Sequence, residues 1–355
     1  GVAQLRERAE IFVGLTLTQW FSQLVLGLII VVGLGYLGFG RQVSIFSGSA
    51  LAAVLASIYM WRVGADGVCW SEFWKTLKVG VTFIPHSASI TGARLLMAWL
   101  LSFLVGPEGV GVYTIAVTFA ILLEVPLQAI ANAAYPTLAG LMRDGSADAR
   151  RQQSRFYALL VSGTIFLVLA MLLLAPIAIT ILTAAKFHVA IPINSLLIVA
   201  WMFQGLYLTV SQPIFFKGGG KYMTAASLIS LLVMADLAVW LIPTYGLVGA
   251  GLAMIGSYFS RFIIAAYFSH RVYPLKWDLR PICLIALVAG GIGGIDWFVL
   301  REGMPWLVSL PIKLVLLAGM VPMVVLTGLV SRAEWVKVKG QIRNRLSRRA
   351  PEGKS

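Results

Sequence analysis

Arg94 places a guanidinium inside an otherwise apolar run, with Ser87 and Thr91 seven and three residues before it. Seven residues advance a helix by about two turns, so these side chains share a face. In the next apolar run Glu124, Gln128 and Asn132 stand four residues apart, extended by Tyr135, and a third run carries Asn194, Trp201, Gln204 and Ser211. Polar stripes at helical period mark faces turned towards a wet cavity or towards each other. An arginine at the centre of a bilayer costs roughly 2.5–3.5 kcal/mol on insertion scales, so one that is kept there needs an anion or a partner carboxylate. Two readings of Arg94 stand open. Its planar fork suits a phosphate or pyrophosphate, or it pairs with Glu124 on the following antiparallel span. Glu124 has the competing role of proton or sodium coupling.

The other charges and ligating residues say less. Asp236 and Arg261 fall on neighbouring runs at different depths and read as separate cavity or interface residues. Asp236 is a second coupling candidate; Arg261 and His86 are further candidate contacts for an anionic substrate, and Gln204 a cavity residue. Asp296 and Lys313 lie close enough to a membrane boundary to snorkel. His86, His188 and His270 lack partners at metal-ligand spacing, and Cys69 and Cys283 are far apart. No metal site, disulfide framework or resident cofactor is therefore expected. Lys217-Gly218-Gly219-Gly220-Lys221 is not a phosphate loop, because Phe215 and Tyr222 stand where Gly and Ser or Thr would be required.

The elements that must position these residues are membrane helices. Hydrophobic residues make up 59% of the chain, charged residues 12%, and the mean hydropathy is +0.88. An all-α, polytopic integral membrane protein follows. Apolar segments run over about 11–34, 43–62, 77–104, 109–141, 155–175, 190–216, 221–242, 247–270, 280–299 and 305–330. Cations crowd alternate connections: Arg6 and Arg8; Arg62, Lys75 and Lys78; Arg143, Arg150, Arg151 and Arg155; Lys217 and Lys221; Arg271, Lys276 and Arg280; then the tail from Arg332 to Lys354. The opposite connections hold Arg41, Lys186 and Arg301. By the positive-inside rule both termini are cytoplasmic. The net charge of +14 thus reflects topology and implies no nucleic-acid partner, while the basic tail anchors the chain beside membrane lipids. The outer connections are short, with room for an interfacial helix only around Ala178–Ala185. That argues against membrane glycosyltransferases, polymerases and ligases, and against an enzyme in general.

Several stretches resemble a family. Phe73-Trp74-Lys75-Thr76-Leu77-Lys78-Val79-Gly80, leading into Ile84-Pro85, resembles the start of the seventh helix of polysaccharide flippases. These are the O-antigen and exopolysaccharide repeat-unit translocases of the multidrug/oligosaccharidyl-lipid/polysaccharide exporter superfamily. Gly106-Pro107-Glu108-Gly109-Val110-Gly111-Val112-Tyr113, Ala134-Tyr135-Pro136-Thr137-Leu138 and Ile242-Pro243-Thr244-Tyr245-Gly246-Leu247-Val248-Gly249-Ala250 are similar in order, over residues 1 to about 270. The resemblance implies a MATE-like pair of six-helix lobes around an alternating cavity in a bacterial inner membrane. The expected task is flipping undecaprenyl-diphosphate-linked oligosaccharide from inner to outer leaflet.

On that alignment 1–62 is the end of an N-terminal lobe lacking about four helices, and 63–274 is the C-terminal lobe. Residues 275–332 are then two additional helices and 333–355 a cytoplasmic tail, which points to a truncated chain. The implied partners are the lipid-linked substrate, a polysaccharide polymerase and chain-length machinery. Family members often carry Asp-Arg in the seventh helix, where this chain has Ala93-Arg94, which leaves Glu124 as the carboxylate nearest in role. A cation-coupled multidrug exporter, a lipid II flippase and a non-transporting membrane protein are the alternative readings.

Overall fold

The computed structural model describes residues 18–19, 21–33, 37–63, 70–274, 279–296 and 306–326, which are almost entirely helical. Arg6, Arg8 and the basic tail 333–355 lie outside the described residues. The chain divides into two compact units, Gly1–Leu77 and Lys78–Ser355. In the first, a helix from Phe21 passes into a π-helical turn, Leu28–Gly33, and is followed by α1, Leu37–Val63. A polar seam joins the two: Gln19 and Gln23 each donate to Ser49 Oγ, at 3.3 and 3.2 Å. Hydrogen bonds of this kind act between helices where burial against lipid supplies little drive.

The unit boundary falls inside α2, Trp70–Leu104. Next come α3, Pro107–Ala120, a 3₁₀ turn, Ile121–Leu123, and α4, Glu124–Asp144. They are followed by α5, Ala147–Leu182, α6, Ala190–Val210, and the short α7, Gln212–Phe216. The described part closes with α8, Gly220–Val272, α9, Leu279–Ile295, and α10, Trp306–Leu326. Among the described residues five continuous segments are long and apolar enough to cross a membrane: Ile84–Leu104, Pro107–Asp144, Ala147–Leu182, Ala190–Phe216 and Gly220–Val272.

The last of these is a folded hairpin. At 53 residues a straight helix would be about 80 Å long, far beyond a hydrocarbon core of about 30 Å. Gly246, at φ 57° and ψ −133°, breaks it into limbs over 220–245 and 247–272. Only glycine adopts that backbone without strain. Ser257 Oγ donates to the Ser230 carbonyl at 2.9 Å, so the limbs run antiparallel in contact. Three residues past the turn, any β-carbon on Gly249 would drive into the Leu241 carbonyl. The Ile242–Ala250 stretch singled out in the sequence is therefore this turn, and the separate spans read at 221–242 and 247–270 are its two limbs.

Other turns have equally local causes. Gly106, at φ 93°, ends α2 and Pro107 opens α3, where a missing N–H costs nothing. Gly145 closes α4 in the left-handed region, and Ser146 Oγ accepts the Ala149 N–H at 3.1 Å to start α5. The interfacial helix expected around Ala178–Ala185 is not a separate element. α5 carries Pro176 internally and runs on to Leu182 because 177–182 remains apolar, and a 3₁₀ turn, Ala185–Phe187, follows.

The main core joins α2, α3, α6 and α8 through Met97, Leu101, Ala116, Ile198, Ala238 and Ala250. Its alanines let helix axes approach closely. A second core packs Leu169 and Leu173 of α5 against Ile285 and Ile292 of α9 and Leu317 and Met320 of α10. Outward faces carry Trp99, Phe103, Leu232 and Trp240, all largely exposed, as suits helices whose solvent is lipid.

Candidate functional site

Arg94 and Glu124 are paired. Arg94 Nη2 donates to Glu124 Oε2 at 2.9 Å, and the two side chains remain 40% and 27% exposed. The pair sits where the 3₁₀ turn hands over to α4, so Glu124 is the first residue of the resumed α-helix. Both sequence readings of Arg94 survive this geometry: the carboxylate is its resting partner, and an exposed guanidinium stays open to an anion.

Behind the pair lies a ladder of alternating cations and rings. The Arg94 guanidinium stands over the Trp201 ring at 5.7 Å. Trp201 packs on Tyr258 with ring centroids 4.7 Å apart. Arg261 then lies over Tyr258 at 4.8 Å and over Tyr207 at 5.6 Å. The ladder runs from a half-open guanidinium to one that is 2% exposed.

Arg261 is held by neutral groups. Its Nη1 donates to Gln204 Oε1 at 3.0 Å and its Nε to Ser230 Oγ at 3.3 Å. Among the described residues no carboxylate forms an ion pair with Arg261, and the nearby Glu124 is paired with Arg94. Desolvated cation–π contacts, at about 2 kcal/mol each, help offset the cost of burying it. Near Arg261, His86 Nδ1 and Ser227 Oγ are 2.6 Å apart, and the His86 ring lies 6.4 Å from Tyr207. Two guanidiniums thus share one carboxylate, and the surplus charge favours an anion.

A cavity of about 150 Å³ opens beside Arg94, walled by Tyr113, Leu197, Trp201, Met254 and Tyr258. It is large enough for several waters or a small anionic group. Trp201 is 5% exposed and its indole N–H has no hydrogen-bond partner. A buried donor without an acceptor costs about 1–3 kcal/mol.

The remaining stripe residues divide. Ser87, Thr91 and Asn132 are exposed and Gln128 is half-buried, so none of them belongs to the buried part of the ladder. Asn194 is fully buried and donates to the Ala116 carbonyl at 2.8 Å, tying α6 to α3. Asp236 is exposed, nine residues from Ser227 and hence about half a turn around the helix from it, so it does not join the Arg261 cluster. Lys313 does not snorkel. Its ammonium is buried, 2.8 Å from Asp296 Oδ1 and 3.2 Å from the Leu173 carbonyl. Helix rotation decided this outcome: α10 turns Lys313 towards α5 and α9 instead of along its own axis.

Sequence reasoning missed Tyr207, Tyr258, Ser227 and Ser230. One signal was present: Tyr207 is three residues after Gln204 and Tyr258 three before Arg261, one helical turn in each case. Compared with protein-family models, curated proteins and solved structures, the chain matches none of them.

Proposed function

We propose that the protein is a membrane flippase that moves an anionic, diphosphate-linked oligosaccharide lipid from the inner to the outer leaflet. The observation that carries this reading is the half-exposed Arg94 guanidinium beside a cavity. A phosphoryl group entering there meets a bidentate donor and the field of Arg261. The exposed polar stripe of Ser87, Thr91, Gln128 and Asn132 offers hydroxyl and amide groups to the attached sugars. No bond is made or broken in this task; it consists of lowering the cost of carrying a hydrated, charged head group through hydrocarbon.

Glu124 gives the cycle its release step. A head group that displaces Glu124 from Arg94 must be replaced by it later, so the carboxylate competes with the substrate for one guanidinium. A cation-exporting relative in function would call for the reverse balance, with carboxylates in excess of guanidiniums around the cavity.

The test is a vesicle assay with the purified chain and a fluorescent undecaprenyl-diphosphate oligosaccharide. Arg94→Ala should lower the flipping rate by about 10²-fold, since hydrogen bonds to charged groups are worth about 1.5–3 kcal/mol each. Arg94→Lys keeps the charge without the fork and should fall between. Flipping at the original rate in both variants would remove the basis of the reading.

A further inference from the structure

A cavity of about 640 Å³ lies away from the ladder, between α5, α6, the second limb of α8 and α9. A volume of this size accommodates a drug-sized ligand or an alkyl chain. Its walls are apolar along most of their length, with Leu169, Met202 and Phe262 facing Ala286, Ala289 and Gly293 of α9. The polar groups that line it, Ser269, His270 and Tyr273, all belong to the last turn of α8 and the residue beyond. The cavity therefore has one greasy end and one polar end.

Two further observations identify the occupant. On α5 the lining runs from Val161 to Leu172 and on α9 from Ile282 to Gly293, eleven residues or about 16 Å along each axis. That is about half of a 30 Å hydrocarbon core, the depth of one leaflet. The polar end is also the basic end. His270 and Arg271 close α8, Arg280 stands at the start of α9, and Arg151 is exposed on the first turns of α5. Of the acids nearby in sequence, Asp148 accepts from Gln152 Nε2 at 2.7 Å, and Asp278, two residues before Arg280, is offset in sequence by Lys276 and lies outside the described residues. Basic pockets between membrane helices are suited to anionic head groups.

We infer that this groove binds one acyl chain of an anionic phospholipid from the leaflet on the basic side, with the lipid phosphate held at the His270, Arg271 and Arg280 end. The site is separate from the ladder and does not depend on the flippase reading. The lipid would fill the space between α9 and the helices α5, α6 and α8 and so set how firmly the α9–α10 pair is seated.

The glycines of α9 supply the test. A β-carbon on Gly290, Gly291 or Gly293 meets no atom within 4 Å, so each tolerates a larger residue. Gly290 and Gly293 line the groove, whereas Gly291 is exposed and does not. The purified chain in detergent is titrated with phosphatidylglycerol, phosphatidylcholine or undecaprenyl phosphate, and bound lipid is counted by native mass spectrometry. Wild type should retain one phosphatidylglycerol per chain in preference to either alternative. G290L/G293L should weaken it about tenfold or more, and G291L should leave it unchanged. H270A and R280A should each lower the preference for phosphatidylglycerol over phosphatidylcholine about fivefold. Equal retention of the two phospholipids by wild type overturns the inference without recourse to any variant. So does a stronger hold on undecaprenyl phosphate, or undiminished binding by folded G290L/G293L.

Discussion

Arg94 and Lys313 are both cations in apolar helices and both have a carboxylate within 3 Å, yet their surroundings are opposite. The Lys313 side chain is 6% exposed and its ammonium also meets the Leu173 carbonyl, so the pair is closed on every described side. Arg94 is 40% exposed, its carboxylate 27%, and a second guanidinium stands behind it with no carboxylate of its own. A closed pair can only hold helices together, because opening it exposes two charges to hydrocarbon. An open pair with surplus charge can exchange partners at small cost. The same residue types thus serve anchoring in one region and exchange in the other, and exposure, not pairing, separates them.

The comparison breaks first, and with the largest effect, at the closed pair. Asp296→Ala leaves a buried ammonium with only a carbonyl, and breaking one partner of a buried pair costs about 3–5 kcal/mol. Thermal unfolding in detergent should show this loss, while Arg94→Ala should barely change the midpoint. Replacing both partners, as D296L/K313M, should restore most of the stability because two hydrophobic residues need no compensation. If the double variant were no better than the single one, the pair would be doing more than anchoring α9 and α10 to α5.

Next in size is the hairpin that carries both Ser230 and Arg261. Gly249→Val puts side-chain atoms against the Leu241 carbonyl, and overpacking of this kind costs about 1–3 kcal/mol. Gly246→Ala forces an L residue into its positive-φ geometry at about 1–2 kcal/mol. Both should lower the unfolding midpoint, and both should also slow flipping, since the two limbs set the Ser230–Arg261 contact. A stable variant with an intact Arg261 cluster and unchanged flipping would show that the limbs tolerate being splayed.

These two regions also show what the chain announces in one dimension. The spans, the glycine–proline turns and the polar stripes follow from periodicities of one helix or from backbone punctuation, and both are local. Ile242–Ala250, which stood out by its resemblance, is such a local feature: its conformation is imposed by Gly246 and by the crowding at Gly249. Arg94 with Glu124 was visible because consecutive antiparallel spans have one natural register. Gln204 with Arg261 was not, since they are 57 residues apart on helices whose mutual rotation no local pattern records. Lys313 failed for the same reason. Depth along a helix can be counted from its ends, but the direction a side chain takes around the axis depends on the neighbours it packs against.

The smallest structural effect and the sharpest functional one should come from Glu124→Gln. An exposed ion pair contributes about 0–1 kcal/mol, so the unfolding midpoint should move little. The amide keeps the shape of the carboxylate and removes its charge, leaving Arg94 without an internal competitor. In the vesicle assay the half-saturating concentration of the diphosphate lipid should fall. The maximal rate should fall with it, because release then lacks the group that recaptures the guanidinium. A change in half-saturation alone would make Glu124 a competitor for entry only. A loss of rate with no gain in apparent affinity would assign the carboxylate to positioning Arg94, and the partner-exchange account of the open pair would have to be given up.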